Sequence, residues 1–187
     1  MRKLPVGIQS FEDIRTNDYV YVDKTDYIYE MVSTGKTYFL SRPRRFGKSL
    51  MVSALQAFFS GRSDLFHDLA LENSMDDWIE YPIFKIDFAG GMFMEAGGLA
   101  DAIDNSMKSC ARGYGISPLE IEAGTLASKF DNLIDALYDK TSKKVVILID
   151  EYDKPLLDNM TVNPELEEKN RELLRGYFGE LKKRMIT

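Results

Sequence analysis

The chain has 187 residues, the length of one ordinary domain, and its 44% hydrophobic and 29% charged residues exclude a disordered tail or a collagen-like repeat. A single cysteine, Cys110, and a single histidine, His67, exclude an internal disulfide framework, a cysteine-rich zinc site and chemistry that needs two imidazoles. The net charge of −6 argues against nucleic-acid binding over the whole surface, yet six bases (Lys36, Arg42, Arg44, Arg45, Lys48, Arg62) and no acid lie between Met31 and Ser63. A positive patch in an otherwise acidic chain points to a local anionic ligand.

The opening Met1-Arg-Lys-Leu-Pro-Val-Gly7 has no signal-peptide run, and no stretch of about 18 apolar residues follows, so a cytoplasmic location without membrane contact is expected. From Leu4 to Val32 the sequence is polar and aromatic, with Asp23 placed to start a short helix over about Lys24–Val32 that stops near Gly35. Tyr38-Phe39-Leu40 is too brief for a helix and reads as a buried strand. Leu50, Met51, Ala54, Leu55, Phe58 and Phe59 form an amphipathic helical stripe ended by Gly61. Ile83–Phe88 is a second strand, followed by a loop with Gly90, Gly91, Gly97 and Gly98. Leu99, Ile103, Met107 and Cys110 share one helical face. Ser117-Pro-Leu-Glu120 has capping-box form. Thr125 starts a helix with Phe130, Leu133, Ile134 and Leu137 inward, and Val145–Ile149 is a β-branched run suited to a central parallel strand. Asn163-Pro164 opens a last helix, acidic first and basic last, which suits the helix dipole. Strands alternating with helices predict one α/β domain with a mainly parallel sheet.

Two segments carry chemistry. Ser41-Arg-Pro-Arg-Arg-Phe-Gly-Lys-Ser49 stands between a predicted strand and a predicted helix, the context of a phosphate-binding loop. Backbone N–H groups at a helix start surround an anion, Gly47 admits close approach, Lys48 reaches phosphate oxygens, and the Ser49 hydroxyl can bind Mg²⁺. The pattern is incomplete, because Arg42 stands where its first glycine belongs. Arg44 and Arg45 fit either phosphate contact or plain solvation. The second segment is Val145–Ile149 running into Asp150-Glu151. An aspartate at a strand's carboxyl end can hold the metal, and the following glutamate can polarise the attacking water. Open α/β sheets bind ligands at that end.

Ile8-Gln-Ser-Phe-Glu-Asp-Ile-Arg15, Tyr21-Val-Asp-Lys-Thr25, Phe39–Ser49 and Leu148-Ile-Asp-Glu-Tyr-Asp-Lys-Pro155 together resemble the prokaryotic AAA-ATPase-like family. The resemblance implies a P-loop NTPase fold of the ASCE/AAA type, a three-layer sandwich spanning residues 1–187, with an N-terminal segment (1–36) before the Walker A to post-Walker B region (37–187). It implies ATP and Mg²⁺ as cofactors. Arg44, Arg45, Phe46, Gly47, Lys48, Ser49 and Leu50 would bind nucleotide, Ser49 and Asp150 the metal, and Lys48 and Glu151 would be catalytic. The segment around Phe11, Ile14, Val22 and Thr25 is placed near the base by analogy. Family members continue into sensor and arginine-bearing regions and then a PD-(D/E)XK nuclease-like domain, so the chain reads as C-terminally truncated, with hydrolysis slowed by want of an arginine finger.

Other readings stay open: a nucleotide sensor or homo-oligomerisation platform without turnover, or nucleic-acid binding through Arg42, Arg44, Arg45 and Arg62. Cys110 reads as a buried small side chain, His67 as a surface residue and Trp78 as a packing anchor. Asp87, at a strand end, is a candidate contact, and Asp153 with Lys154 a local ion pair.

Overall fold

Seven α-helices and two β-strands are described by the computed structural model, which covers residues 2–41, 46–75 and 77–186. They fall into two compact units, Met1–Tyr81 and Pro82–Thr187, each with its own hydrophobic cluster. The fold is α/β, mostly helical, with a small parallel sheet.

The first unit is built on helices. Ser10 caps α1 (Phe11–Thr16) by accepting from the Asp13 N–H at 3.1 Å, and Glu12 and Asp13 in the first turn suit the dipole. The Phe11 N–H donates to Ser53 Oγ at 2.9 Å and so ties α1 to α3 (Lys48–Phe59). The expected stripe of α3 is inward: Met51, Ala54 and Phe58 are buried, with Leu50, Leu55 and Phe59 packed around them. Fully buried Phe66 stacks at 4.9 Å from Phe11 and 5.0 Å from Trp78, which makes Trp78 the anchor expected of it. α2 (Asp26–Thr34) starts two residues later than the sequence suggests, with Asp23 holding the turn before it. Asp23 Oδ1 accepts from both the N–H and the hydroxyl of Thr25, and Oδ2 from the Ala70 N–H at 2.7 Å.

Tyr38–Leu40 is not a strand. A strand needs a neighbour for its backbone groups, and among the described residues none forms a ladder on this segment. Tyr38 and Phe39 are instead 47% and 70% exposed. The Tyr38 hydroxyl hydrogen-bonds Thr34 Oγ1 at 2.8 Å, folding back over the end of α2. A Cβ at Gly35 would lie 2.6 Å from that hydroxyl, so the glycine leaves the ring its place.

The second unit holds the sheet. β1 (Ile83–Asp87) leads through the glycine-bearing loop to α4 (Gly98–Gly113), then α5 (Leu126–Thr141), and returns as β2 (Val146–Asp150), parallel to β1. Ile83 pairs with Val146 and Asp87 with Asp150, so both strands end together. Phe84 and Ile86 face the core made by Leu99, Ile103 and Met107 of α4, Phe130, Leu133 and Leu137 of α5, and Leu174, Tyr177 and Leu181 of α7 (Pro164–Ile186). The Ser117 capping box forms as expected but starts only a 3-10 turn, Pro118–Glu120. Among the described residues β2 has β1 as its single ladder neighbour, and Val146, Ile147 and Ile149 are half-buried, so it is not the fully covered central strand anticipated. Alternating charges weld α4 to α5. Lys129 Nζ reaches Asp104 at 2.8 Å and Glu122 at 2.9 Å, while Lys108 Nζ reaches the other oxygen of each, at 2.7 and 2.9 Å. No helix of the described residues is long and apolar enough to cross a membrane.

Candidate functional site

In the first unit the candidate residues gather at the head of α3. Gly47 is the N-cap residue, left-handed at φ 74°, and has no side chain with which to cap the helix. The first helical bond runs from the Met51 N–H to the Gly47 carbonyl at 3.0 Å. The N–H groups of Lys48, Ser49 and Leu50 therefore precede any intrahelical acceptor and point out of the helix start, where the dipole is positive. Among the described residues nothing lies within 4 Å of the position a Gly47 Cβ would take. Phe46 is 66% exposed before the turn, while Lys48 and Ser49 are half-buried and Leu50 packs against the core cluster. Arg44 and Arg45, together with Arg42, lie outside the described residues.

In the second unit the candidates gather at the carboxyl end of β2. Asp150 is 7% exposed, and its Oδ1 accepts from the Glu151 N–H at 3.0 Å. Its carbonyl accepts from the Phe88 N–H at 3.2 Å, which fixes the strand end. Glu151, half-buried, is left-handed at φ 51°, an unfavourable backbone for a residue with a Cβ. Asp87 is the register partner of Asp150, and its Oδ1 accepts from the Ala89 N–H at 2.8 Å.

Two further residues lie beyond this strand end, Asp153 and Asn159. Asp153 does not pair with Lys154; the Lys154 ammonium reaches forward one helical turn to Asp158, at 2.6 Å. Asp153 Oδ1 is instead buried with no hydrogen-bond partner among the described residues. A buried carboxylate oxygen without a donor suits a cation or a water. Asn159, fully buried, donates to the Phe93 carbonyl at 2.7 Å and to the Pro155 carbonyl at 3.1 Å, and so clamps the loop after β1 to the segment after β2. The Asp-Glu-x-Asp spacing hints at Asp153, whereas nothing local marks Asn159. The carboxylate of Asp150 is an oxygen donor of the kind a hard ion such as Mg²⁺ takes.

Among the other expectations some change and some hold. Phe11, Ile14 and Thr25 are at most 1% exposed, inside their own unit, and so are unavailable to a base; only Val22, 71% exposed, remains at the surface. Thr25 is structural, its hydroxyl receiving the Leu71 N–H at 3.1 Å. Arg62 is engaged with Asp64 at 2.7 Å and Glu12 at 2.8 Å, which removes it from the positive patch. His67 is exposed beside Asp68 and Glu72, with ligand-type atoms within 4.8 Å of one another. Cys110 is half-buried; burial pushes its thiol up to about 11, which makes it a poor nucleophile.

A family model described as predicted AAA-ATPase matches residues 5–187. An uncharacterized protein in the vnfD 5' region of Azotobacter chroococcum mcd 1 is 38% identical over 182 residues, covering 97% of this chain and 34% of that protein. The chain thus spans about a third of that relative's length. No solved structure matches the chain. Since the family match begins at Pro5, ahead of the first helix, and takes in both units, the chain belongs to the predicted AAA-ATPase family.

Proposed function

We propose that the chain is the ATP-binding, Mg²⁺-dependent P-loop domain of a nucleoside-triphosphate hydrolase that couples turnover to conformational change. The observation that carries this reading is the head of α3: a left-handed glycine opens a helix of 12 residues with Lys48 as its first residue and, among the described residues, no side-chain cap bond on its free amides. In this account the N–H groups of Gly47, Lys48, Ser49 and Leu50 bind phosphate oxygens, with Arg44, Arg45 and Phe46 flanking them and Lys48 supplying the compensating charge. Ser49 and Asp150 hold Mg²⁺, which when bound neutralises charge on the transferring phosphoryl group. Glu151 orients the attacking water and accepts its proton. That residues 1–187 are a P-loop domain of the three-layer type, and that a nuclease-like domain accompanies such a domain in a longer protein, belong to the same proposal.

The family membership supports nucleotide binding in general; the buried end of β2 supports the metal role. The test combines affinity and turnover. Lys48→Ala is expected to weaken Mg·ATP binding by about a hundredfold or more, the loss of a desolvated charge contact. Glu151→Gln is expected to keep the affinity and abolish phosphate release. Equal ATP affinity in the wild type and Lys48→Ala would end this reading. Tight binding without phosphate release by the wild type would favour the sensor alternative.

A further inference from the structure

Among the described residues β1 is paired with a strand on one edge alone, that of β2. Pro82 O accepts from the Val146 N–H at 2.8 Å and the Phe88 N–H donates to Asp150 O at 3.2 Å, so the even-numbered residues of this strand turn their backbone groups toward β2. By the alternation of a ladder, Ile83, Lys85 and Asp87 turn theirs the other way. At Ile83 that edge is closed by side chains: its N–H donates to the Tyr114 hydroxyl at 2.7 Å, and its carbonyl accepts from Cys110 Sγ at 3.5 Å. Beyond it an open groove of about 430 Å³ runs past Lys85 and Asp87, floored on α4 by the small residues Ser106, Ser109 and Gly113. An open strand edge is a template for another strand.

The charges select the occupant. Lys85 and Asp87 are two apart, so their side chains share a face. If two copies of β1 run antiparallel about Ile86, Lys85 of each stands opposite Asp87 of the other, and both residues also direct their N–H and C=O groups across the gap. A parallel, in-register pairing would set lysine beside lysine. Lysine alone on an edge deters pairing; an aspartate two residues on makes the edge complementary to its own copy. Asp87 Oδ1 is held by the Ala89 N–H, which leaves the second oxygen for the lysine.

We propose that the outer edge of β1 is the interface for a second copy of this chain, joined antiparallel about Ile86 by the backbone groups of Lys85 and Asp87 and by two reciprocal Lys85–Asp87 ion pairs. The pairing is isologous and closes on itself, giving the strand order β2-β1-β1-β2. It rests on the edge of the second unit and is independent of the nucleotide reading. The contact is small, so the dimer is weak and concentration-dependent.

Sedimentation velocity on the whole chain, at concentrations up to about 0.5 mM, reads it directly, since small interfaces associate weakly. The wild type is expected to shift from monomer to dimer as concentration rises. Lys85→Asp and Asp87→Lys should each weaken dimerisation by about tenfold or more, because like charges then oppose each other twice across the strands. The Lys85→Asp/Asp87→Lys double variant should return to within about threefold of the wild type, because the swapped pair is again complementary. Lys85→Gln, which removes the charge without reversing it, should fall between; circular dichroism checks that each variant folds. A wild type that stays monomeric throughout, single reversals that dimerise as well as the wild type, or a double variant no stronger than the singles would each overturn the proposal.

Discussion

Gly47 in the first unit and Glu151 in the second stand at the same kind of place, the junction between an element and the candidate chemistry, and both are left-handed, at φ 74° and φ 51°. One is a glycine with no described residue within 4 Å of where a Cβ would sit; the other carries a full side chain in a conformation that disfavours one. At the head of α3 the backbone amides are the proposed working groups, so a side chain is dispensable. At the end of β2 the carboxylate is the proposed working group, so strain of about 1–3 kcal/mol is tolerated to aim it.

Glu151→Gly breaks this comparison most sharply. It should lower turnover by about 10²–10⁴, the usual size of a general-base contribution, while raising the unfolding free energy of the second unit by about 1 kcal/mol as the left-handed strain is released. Phosphate release and urea unfolding check the two halves. A variant that loses stability would show that the Glu151 backbone is not strained.

Gly47→Ala is the complementary experiment. With no described residue within 4 Å of the added methyl, its expected cost is that of the left-handed backbone, about 1–2 kcal/mol, and nucleotide affinity should fall with it. Urea unfolding and calorimetric titration check the pair. An alanine tolerated without loss on either count would mean that the turn does not need its left-handed glycine.

The second unit was the more legible in the sequence. Its strands, its long helices and their inward faces follow from hydrophobic periodicity and β-branched runs, because a helix packed on a sheet must show one apolar stripe. The first unit was harder to read. Tyr38-Phe39-Leu40 has the composition of a strand, but pairing is a property of the neighbour as well as of the segment, and composition does not reveal the neighbour. The aromatic N-terminal motifs looked like ligand contacts and are core and turn instead: Thr25 and Asp23 spend their hydrogen-bonding capacity on Leu71 and Ala70, far along the chain. At the candidate site, Gly47-Lys-Ser49 and Asp150-Glu151 were visible as motifs. The buried oxygen of Asp153 and the Asn159 clamp were not, since both depend on what the fold carries to them.

The smallest expected effects are in the pH dependence. In the first unit, burial pushes the Asp23 carboxyl up, but the N–H donors of Ala70 and Thr25, the Thr25 hydroxyl and the Arg15 charge hold it below its ordinary value. In the second, burial likewise works against Asp104, and bonds from Lys108 and Lys129 bring it below. A depressed folded pKa stabilises above the unfolded value and is lost as pH falls through the folded one, so both units should weaken in acid below about pH 4. His67 separates them. The hydrogen bond to Glu72 and the charges of Asp68 and Glu72 raise its pKa, so its contribution is full below the unfolded value and fades as pH rises through the folded one. From about pH 6 to about pH 8 the first unit should soften slightly while the second, which has no histidine, does not. Hydrogen exchange, corrected for the intrinsic pH dependence and compared between the units, reads this. Equal changes in both would remove His67 from the account.

The proposed function requires Lys48 and Asp150 to serve the same Mg·ATP. Calorimetric titration of Mg·ATP into the wild type, Lys48→Ala, Asp150→Asn and the double variant tests it most directly, because residues acting on one ligand couple by about 0.5–3 kcal/mol. The account expects tight wild-type binding, a large loss in each single variant and a double variant well short of additive. Binding unchanged by both substitutions, or losses that simply add, would contradict it.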